Sequence, residues 1–558
     1  MKKLFLFLFL AFLTFLPTRN FFHEGVPYTH DGENHIVRFA NYYLALKEGQ
    51  FPPRLAPNLM NHYGYPVFNY NYPLANILSL PFSVLGFNYA TTFKIEMVTA
   101  VFLALLAAWI FLRQKGFSEK ISAFAVAVLA VTPYLLSNLL IRGNIGEVWA
   151  LALFLWLFVF IDHFKTAKKF FTWQTFAFIF LLMAFFLAHN IAALFGSGII
   201  FLYAVFVFQK NWQAWKKFLL AFFFAFAMAL WFWLPALAEK SLVTLDEVGL
   251  SKDYWKHFPT LLQLFQWPIA FGYSYPASVD SMSFGIGLVQ TLLLLCIICY
   301  LFWRRKLLQS QEIAFAVILF LAIFGQLSVS RFAYQLFSPL AFIQFPWRLA
   351  LFLALPFLYF AAKIFSLAKK PLRWLFMFVL LLQMYQVFHF KAVDYVVREP
   401  VDYEFFSQTT SIANENRPKT FLYENISDWK PDVSIISGAG QSTVDSWRGS
   451  QRQYQLSLQE TSLIVEPSAY FPGWETMTKN ANDANSSWQK VSYQDDQVIL
   501  GRIAYQLEPG KYLVRSRFTQ RTPARLLANA ISAFATILYG LFLLRFLFAK
   551  GRQKIAKS

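Results

Sequence analysis

Residues Tyr28 to Tyr72, YTHDGENHIVRFANYYLALKEGQFPPRLAPNLMNHYGYPVFNYNY, form a polar, tyrosine-rich segment placed straight after an apolar run at 4–17. Its first part predicts a helix from Gly32 to Glu48, because Ile36, Phe39, Tyr43 and Leu46 recur at helical spacing and Gly49 would end it. Asp31 and His35 then lie on one face, with Glu33 between them in sequence. Pro52, Pro53 and Pro57 break the helix, and a short amphipathic piece, Leu74 to Leu85, returns the chain to the next apolar run. A polar loop held between apolar spans is the expected active-site platform.

The surrounding composition fixes the class. With 558 residues, 57% hydrophobic, 20% aromatic and 14% charged, the chain has more apolar surface than a water-soluble fold can cover, so it needs lipid. The net charge of +19 does not indicate nucleic acid, because the basic residues fall in short clusters at the ends of apolar runs, where membrane topology places them. Cys296 and Cys299 lie within an apolar run that offers no thiolate-stabilising surroundings, and both are expected as core packing, with no disulfide and no zinc. Met1-Lys2-Lys3 and the run to Leu16 look like a signal peptide, but no small-x-small cleavage site follows, so a retained first span is expected.

Apolar stretches near 4–17, 90–112, 121–140, 146–163, 172–188, 191–208, 217–237, 286–303, 311–328, 347–365, 372–390 and 526–548 predict about twelve transmembrane helices. Clusters such as Lys2/Lys3, Arg113/Lys115/Lys120, Lys165/Lys168/Lys169, Arg304/Arg305/Lys306 and Lys369/Lys370/Arg373 then fall on one side, which predicts a plasma-membrane protein with both termini cytoplasmic. Between 391 and 525 the composition turns polar, and short alternating runs at Val433 to Ile436, Gln497 to Ile503 and Tyr512 to Phe518 predict an outer β domain of roughly 130 residues. The expected division is a membrane domain over 1–390, with a first outer loop at 19–89, the β domain over 391–525, and a last span with a basic tail over 526–558. Two sequons, at Asn425 and Asn485, matter only in a secretory host.

The topology brings several polar segments to the outer face. Asp31 is the sharpest candidate, as a carboxylate able to take a proton from an acceptor hydroxyl; it equally suits the cap of the helix that begins at Gly32. Arg142 and Glu147 sit in a short turn between spans, where they can orient an anionic head group and an acceptor, or simply pair with each other. His189 and Asn190 join two spans; the histidine is either hydrogen-bonded to backbone or a partner of a phosphate or of Asp31. The Trp-, Pro- and Gly-rich run from Phe265 to Gly287 is too broken to span, and is expected either as a lid, with Trp267 and Tyr273 as substrate contacts, or as an interfacial aromatic belt. Arg348 begins a span on the side that the basic clusters avoid, placed to hold a phosphate or to snorkel.

The order of motifs resembles the GT-C superfamily of membrane glycosyltransferases. More closely, T-H-D-G-x-x-H at Thr29 to His35, R-G-x-x-x-E at Arg142 to Glu147, H-N at His189-Asn190, W-L-P-A-L at Trp233 to Leu237, M-S-F-x-x-G at Met282 to Gly287 and F-P-W-R at Phe345 to Arg348 resemble the bacterial membrane family labelled 6-pyruvoyl-tetrahydropterin synthase-related. F-P-G-W at Phe471 to Trp474 and L-E-P-G-K-Y at Leu507 to Tyr512 look like the β-sandwich tails of related proteins. The zinc-binding histidine set of the soluble pterin enzymes is missing. The resemblance implies a helical polytopic fold with a β-sandwich-like domain, and transfer of a sugar from a polyprenyl-phosphate carrier to a glycan, lipid or protein acceptor. It also implies that Asp31 is the general base, with Glu33, His35 and Glu147 in the catalytic set and Arg142, His189, Asn190, Trp267, Tyr273 and Arg348 against substrate. The paired acidic motif of the superfamily is represented only by Asp31-x-Glu33, which neither demands nor forbids a divalent cation. The alternatives are a transporter of a lipid-linked glycan, and a non-catalytic envelope-assembly protein.

Overall fold

The computed structural model describes residues 3–248, 252–275, 280–411, 413–422, 429–483, 485–495 and 499–555. The first membrane-associated helices are α1 (Lys3–Thr18), α2 (Gly32–Lys47), α3 (Leu74–Val84), α4 (Tyr89–Gln114), α5 (Glu119–Ala130), α6 (Pro133–Leu140), α7 (Ile145–Phe160) and α8 (His163–Thr166). They continue as α9 (Trp173–Ala188), α10 (Asn190–Phe208), α11 (Trp212–Ala238), α12 (Leu288–Arg304), α13 (Ser310–Phe324), α14 (Arg331–Leu336), α15 (Ala354–Leu367) and α16 (Lys370–His389). After them come a short α17 (Pro400–Glu404) and the long last helix α18 (Pro523–Ile555).

Among the described residues eight helices are long and apolar enough to cross a membrane, or up to ten if each of two bent pairs is one span. The pairs are α5 with α6, bent by 45°, and α13 with the Ser328–Leu336 segment, bent by 97°. The expected count of about twelve is therefore too high for full-length spans. The stretches at 172–188 and 286–303 fold as α9 and α12, of 16 and 17 residues. At 1.5 Å per residue these reach about 24–26 Å, short of a hydrocarbon layer of about 30 Å. Helix α9 is cut off at both ends, by Thr172, whose side chain accepts the Thr175 N–H, and by the extended backbone of His189 (φ −163°).

The bundle has two chemically different ends. At one, Lys115 pairs with Asp162 and donates to Tyr203 (3.2 Å) and Gln311 (2.6 Å), while Lys363 pairs with Glu312 (2.9 Å). Lys217 reaches the Ala167 carbonyl and Gln209 reaches Ser310 at the same end. These contacts gather the loops that carry the basic clusters. Helix α7 runs from this end, near Asp162, to Glu147 at the other, roughly 22 Å away.

At the Glu147 end the chain is cross-strapped. Strand β1 (Val26–Pro27) pairs antiparallel with β2 (Tyr395–Val396), tying the first loop to the segment after α16. The remaining strands are β3 (Ser434–Ser437), β4 (Gly440–Trp447), β5 (Gln451–Leu458), β6 (Ser462–Ala469), β7 (Trp474–Asn480), β8 (Gln489–Lys490), β9 (Arg502–Leu507) and β10 (Gly510–Phe518). They form a five-stranded sheet in the order β4-β5-β10-β7-β8 and a three-stranded sheet in the order β3-β6-β9. Tyr454, Leu456, Leu458 and Val514 of the first sheet and Ile464 and Tyr505 of the second share one buried cluster, as alternation along half-buried strands requires. The strand expected at Gln497 to Ile503 begins instead at Arg502; part of that run, and Asn425, lie outside the described residues.

Helix α18 is locked to the end of α11 by a buried ion pair that also ties in the first loop. The Arg525 guanidinium, with no exposed surface, donates from Nε and Nη2 to Glu239 Oε2 (3.1 and 2.8 Å). Glu239 also accepts from Asn69 (2.9 Å) and Thr522 (2.7 Å), and its carbonyl accepts from the Tyr70 hydroxyl (2.7 Å). Removing one partner leaves the other charge buried alone, a loss of about 3–5 kcal/mol. Glu239→Gln should therefore lower the thermal midpoint in detergent micelles sharply, and Glu239→Met with Arg525→Leu should lower it less than the single change does.

Candidate functional site

The site is built on the turn between α6 and α7. Asn144 caps α7 by accepting the Glu147 N–H (3.0 Å), which fixes the first turn of the helix. Gly143 lies at φ +63°, and a Cβ there would meet Thr29 Oγ1 at 2.2 Å and Gly32 N at 2.8 Å. A Cβ on Gly146 would meet the Tyr72 ring at 2.3 Å and the Ala188 carbonyl at 2.8 Å. The two glycines thus let the first loop and the α9–α10 junction close on the turn. Two backbone bonds complete the contact, from His30 N to Ile141 O (2.9 Å) and from Asp31 N to Arg142 O (2.8 Å).

Glu147 is the centre of this arrangement and is almost wholly buried. Its carboxylate accepts two bonds from Arg142 (2.8 and 2.7 Å), one from Tyr134 (2.6 Å) and one from Asn138 (3.3 Å). His189 Nε2 stands 3.7 Å and Arg348 Nε 3.6 Å from Glu147 Oε1. Two arginines thus face one carboxylate that is already held bidentately by the first. Arg348 donates from Nη1 to Gln344 Oε1 (3.0 Å) and lies over the Phe345 ring (4.9 Å); Arg142 lies over the Trp347 ring (4.8 Å). Polar anchors set both guanidinium planes, and Arg348, near Glu147 and Asp31, keeps an Nε with no hydrogen-bond partner.

Asp31 occupies the cap position of α2, yet its side chain makes no capping bond; Thr29 Oγ1 accepts the Gly32 N–H instead (3.1 Å). The carboxylate is half-buried, and its charge acts on His30, Tyr72 and Arg142. Glu33 turns elsewhere and pairs with Arg398, so the sequence grouping of Asp31 with Glu33 is not reproduced as a shared site. His35 is buried against Tyr72, with ring centroids 6.0 Å apart, and Tyr72 in turn lies 4.7 Å from His189. Asn190 donates to the Tyr70 carbonyl (2.8 Å).

Both buried histidines are neutral. Burial, reinforced by the charges of Arg348 and Arg142 and opposed by Glu147, pushes His189 down to about 3. Burial, with Arg38, His189 and Arg142, holds His35 well below its ordinary 6.5. His189 Nδ1 accepts the Ala192 N–H (3.2 Å), which leaves the ring proton on Nε2, facing Glu147.

The run after Phe265 lies over this cluster. The Tyr273 ring stacks on His30 at 4.4 Å, Ser274 Oγ accepts from Trp347 Nε1 (3.3 Å), and Met282 and Phe284 pack with Trp347 and Ile141. Trp267 Nε1 is buried without a partner. A narrow cleft is lined by Tyr134, Ser137, Ser283 and Trp347, and by Leu353 and Phe357 further along the same span. The unpartnered buried polar atoms here include His30 Nε2, His35 Nε2, Ser137 Oγ, Asn190 Oδ1, Ser283 Oγ and Arg348 Nε. Buried polar groups normally have partners, so these atoms have hydrogen-bonding capacity to spare.

Sequence reasoning left out Tyr134 and Asn138, although their signal is present: Tyr134, Asn138 and Arg142 recur every fourth residue within an apolar run. It also left out Arg38, which donates to Thr410 Oγ1 (2.9 Å) across 372 positions, a pairing that no local pattern could reveal. Among the described residues no group of three or more His, Cys, Asp or Glu side chains is placed to hold a metal ion.

Comparison with known proteins adds little. No family model matches the chain, and no curated protein matches it. Among solved structures the chain is similar to the arabinofuranosyltransferase AftD from mycobacteria, at 13% identity and a TM-score of 0.43. The likeness covers 70% of this chain and 26% of that one, so the chain spans about a quarter of the length of that structure.

The neutral histidines set a pH dependence. An unfolded histidine binds its proton near 6.5, whereas His189 does not until about 3, so stability is full above 6.5 and falls as pH drops towards 3. The loss is roughly 1.4 kcal/mol per pH unit for each such residue. Thermal midpoints in nanodiscs should fall between pH 7.5 and 5, and His189→Gln should flatten that fall.

Proposed function

We propose that the protein is an integral-membrane glycosyltransferase of the GT-C type, which moves a sugar from a polyprenyl-phosphate carrier to an acceptor hydroxyl. The observation that carries this reading is the buried Arg348, 3.6 Å from a carboxylate that Arg142 already holds bidentately and with its own Nε unpartnered. A buried arginine with an unpartnered donor at the mouth of an apolar bundle suits a ligand with an anionic head and a hydrocarbon tail. The resemblance of its motifs to those of the superfamily points the same way.

In this reading Arg348 holds the donor phosphate, and Arg142 sets the field around it. Asp31 takes the proton from the acceptor hydroxyl as its oxygen attacks the anomeric carbon. The bond from that carbon to the phosphate oxygen breaks, and the carrier leaves as a phosphate that Arg348 stabilises. Glu147 accepts too many hydrogen bonds to act as a base; it positions the two arginines. His35 and His189, both uncharged, offer N–H groups to oxygens of the substrate. The positive-inside pattern assigns the basic end of the bundle to the cytoplasm and this site to the outer face of the plasma membrane.

Asp31→Asn should fold normally and lose about 10²–10⁴-fold in kcat for sugar transfer, with donor KM little changed. Arg348→Gln should mainly raise donor KM. Both are read by transfer from a radiolabelled polyprenyl-phosphate sugar, and full activity of a folded Asp31→Asn protein overturns the assignment of the base.

A further inference from the structure

Five rings form a chain next to Asp31. Tyr28 and Phe271 lie 6.2 Å apart, Phe271 and His30 5.5 Å, His30 and Tyr273 4.4 Å, and Tyr273 and Tyr275 6.0 Å. The three tyrosines keep much of their surface open, with Tyr28 at 41%, Tyr273 at 37% and Tyr275 at 48% exposure. Exposed large rings scattered singly need no explanation, but a contiguous set beside a reactive carboxylate does.

The set is held in place. Ser281 Oγ accepts the Tyr273 N–H (2.9 Å), and the Tyr273 carbonyl accepts from Ser281 N (3.1 Å) and Met282 N (3.2 Å). Asp280 accepts the Tyr275 N–H (3.0 Å) and a bond from Gln263 (3.2 Å). On the other side Ser274 is joined to Trp347, whose ring carries Arg142, and the His30 backbone is bonded to Ile141. The backbone that carries His30, Tyr273 and Tyr275 is therefore held before any ligand arrives, and the stack on His30 sets the Tyr273 ring.

We propose that this ring set is the acceptor subsite, and that the acceptor is a carbohydrate; the inference rests on the transfer reading above and narrows it. A sugar ring presents an apolar C–H face and a rim of hydroxyls. The Tyr273 ring matches the first with the face that His30 leaves open, and the Tyr28 and Tyr273 hydroxyls, bonded to each other, and the Asp280 carboxylate match the second. A lipid acceptor would need an apolar groove without this polar rim. A plain interfacial belt would turn its rings towards lipid, not onto His30 and the residue beside it.

The test uses the full-length protein in phospholipid nanodiscs, because maltoside detergents themselves present sugar rings. Saturation-transfer NMR is recorded with maltotetraose, chitotetraose and mannotetraose as probes. At least one should receive saturation at its ring C–H protons, and Tyr273→Leu, which keeps apolar volume but loses the flat face, should weaken that probe about 3- to 10-fold. Tyr273→Phe should retain most of the affinity, with thermal midpoints unchanged in both. Tyr385→Ala, which removes a ring that is 60% exposed on α16, should leave binding unaltered. No transfer to any probe, or an equal loss from Tyr385→Ala, overturns the proposal. Asp31→Asn separates the two ideas: probe binding that survives while transfer is lost supports both. Full sugar transfer by Asp31→Asn with probe binding still dependent on Tyr273 removes Asp31 as the base and keeps the subsite, whereas no sugar transfer by the native protein with such binding removes the enzyme reading and keeps the subsite.

Discussion

The bidentate pair of Arg142 and Glu147 is the constraint on which the rest of the site depends. Neither residue could be buried alone at a helix end in an apolar bundle, because an uncompensated charge there costs several kcal/mol. Together, with Tyr134 and Asn138 filling the remaining acceptor positions, they form a rigid polar plug at the start of α7. Every other element of the site is referred to that plug. The first loop is bonded to its backbone, the α9–α10 junction is pressed against Gly146, and Arg348 arrives from a span more than two hundred residues later. The pair therefore contributes specificity of assembly more than net stability.

Much of this was legible in the sequence, because membrane insertion writes strong signals. The apolar stretches locate the helices, and Gly32 to Lys47 and Leu74 to Val84 match expectation within a residue. The basic clusters of the expected cytoplasmic side meet at one end, through Lys115, Asp162, Gln311 and their neighbours. The stretch at 172–188 also matches, as Trp173–Ala188; what an apolar run does not carry is a bend within it, as between α5 and α6 or after α13. Nor could the sequence resolve Glu33 from Asp31. Both are acidic and two residues apart, and their separation depends on Arg398, which reaches Glu33 only because β2 pairs with β1.

The candidate site shows the same division. Arg142, Glu147, His189 and Arg348 were visible as polar residues at the ends of apolar runs, where each would be expensive without a purpose. Their convergence was not visible, because it depends on the close approaches at Gly143 and Gly146, and a glycine in a turn gives no hint of what will press against it. Asp31 was expected to divide its carboxylate between a cap and chemistry. Thr29 takes over the cap, a substitution of roles that follows from the turn before α2 and not from composition.

The charge balance around this plug has a consequence for the free protein. Arg142 and Arg348 face Glu147 with Asp31 near both, so the charges balance as a set while the Arg348 Nε is left without a hydrogen-bond partner. A buried donor left so costs the unliganded fold stability, which the surrounding helices supply. The Arg525–Glu239 lock, the Glu48 contacts to Ser450 and the β1–β2 pairing all lie around the same end of the bundle, in segments far apart in sequence. Those ties hold together the segments that converge on the site. In the proposed reading, an anionic group beside Arg348 takes the donor that Glu147 leaves unbonded, so binding draws on a group already in place and not on reshaping the fold.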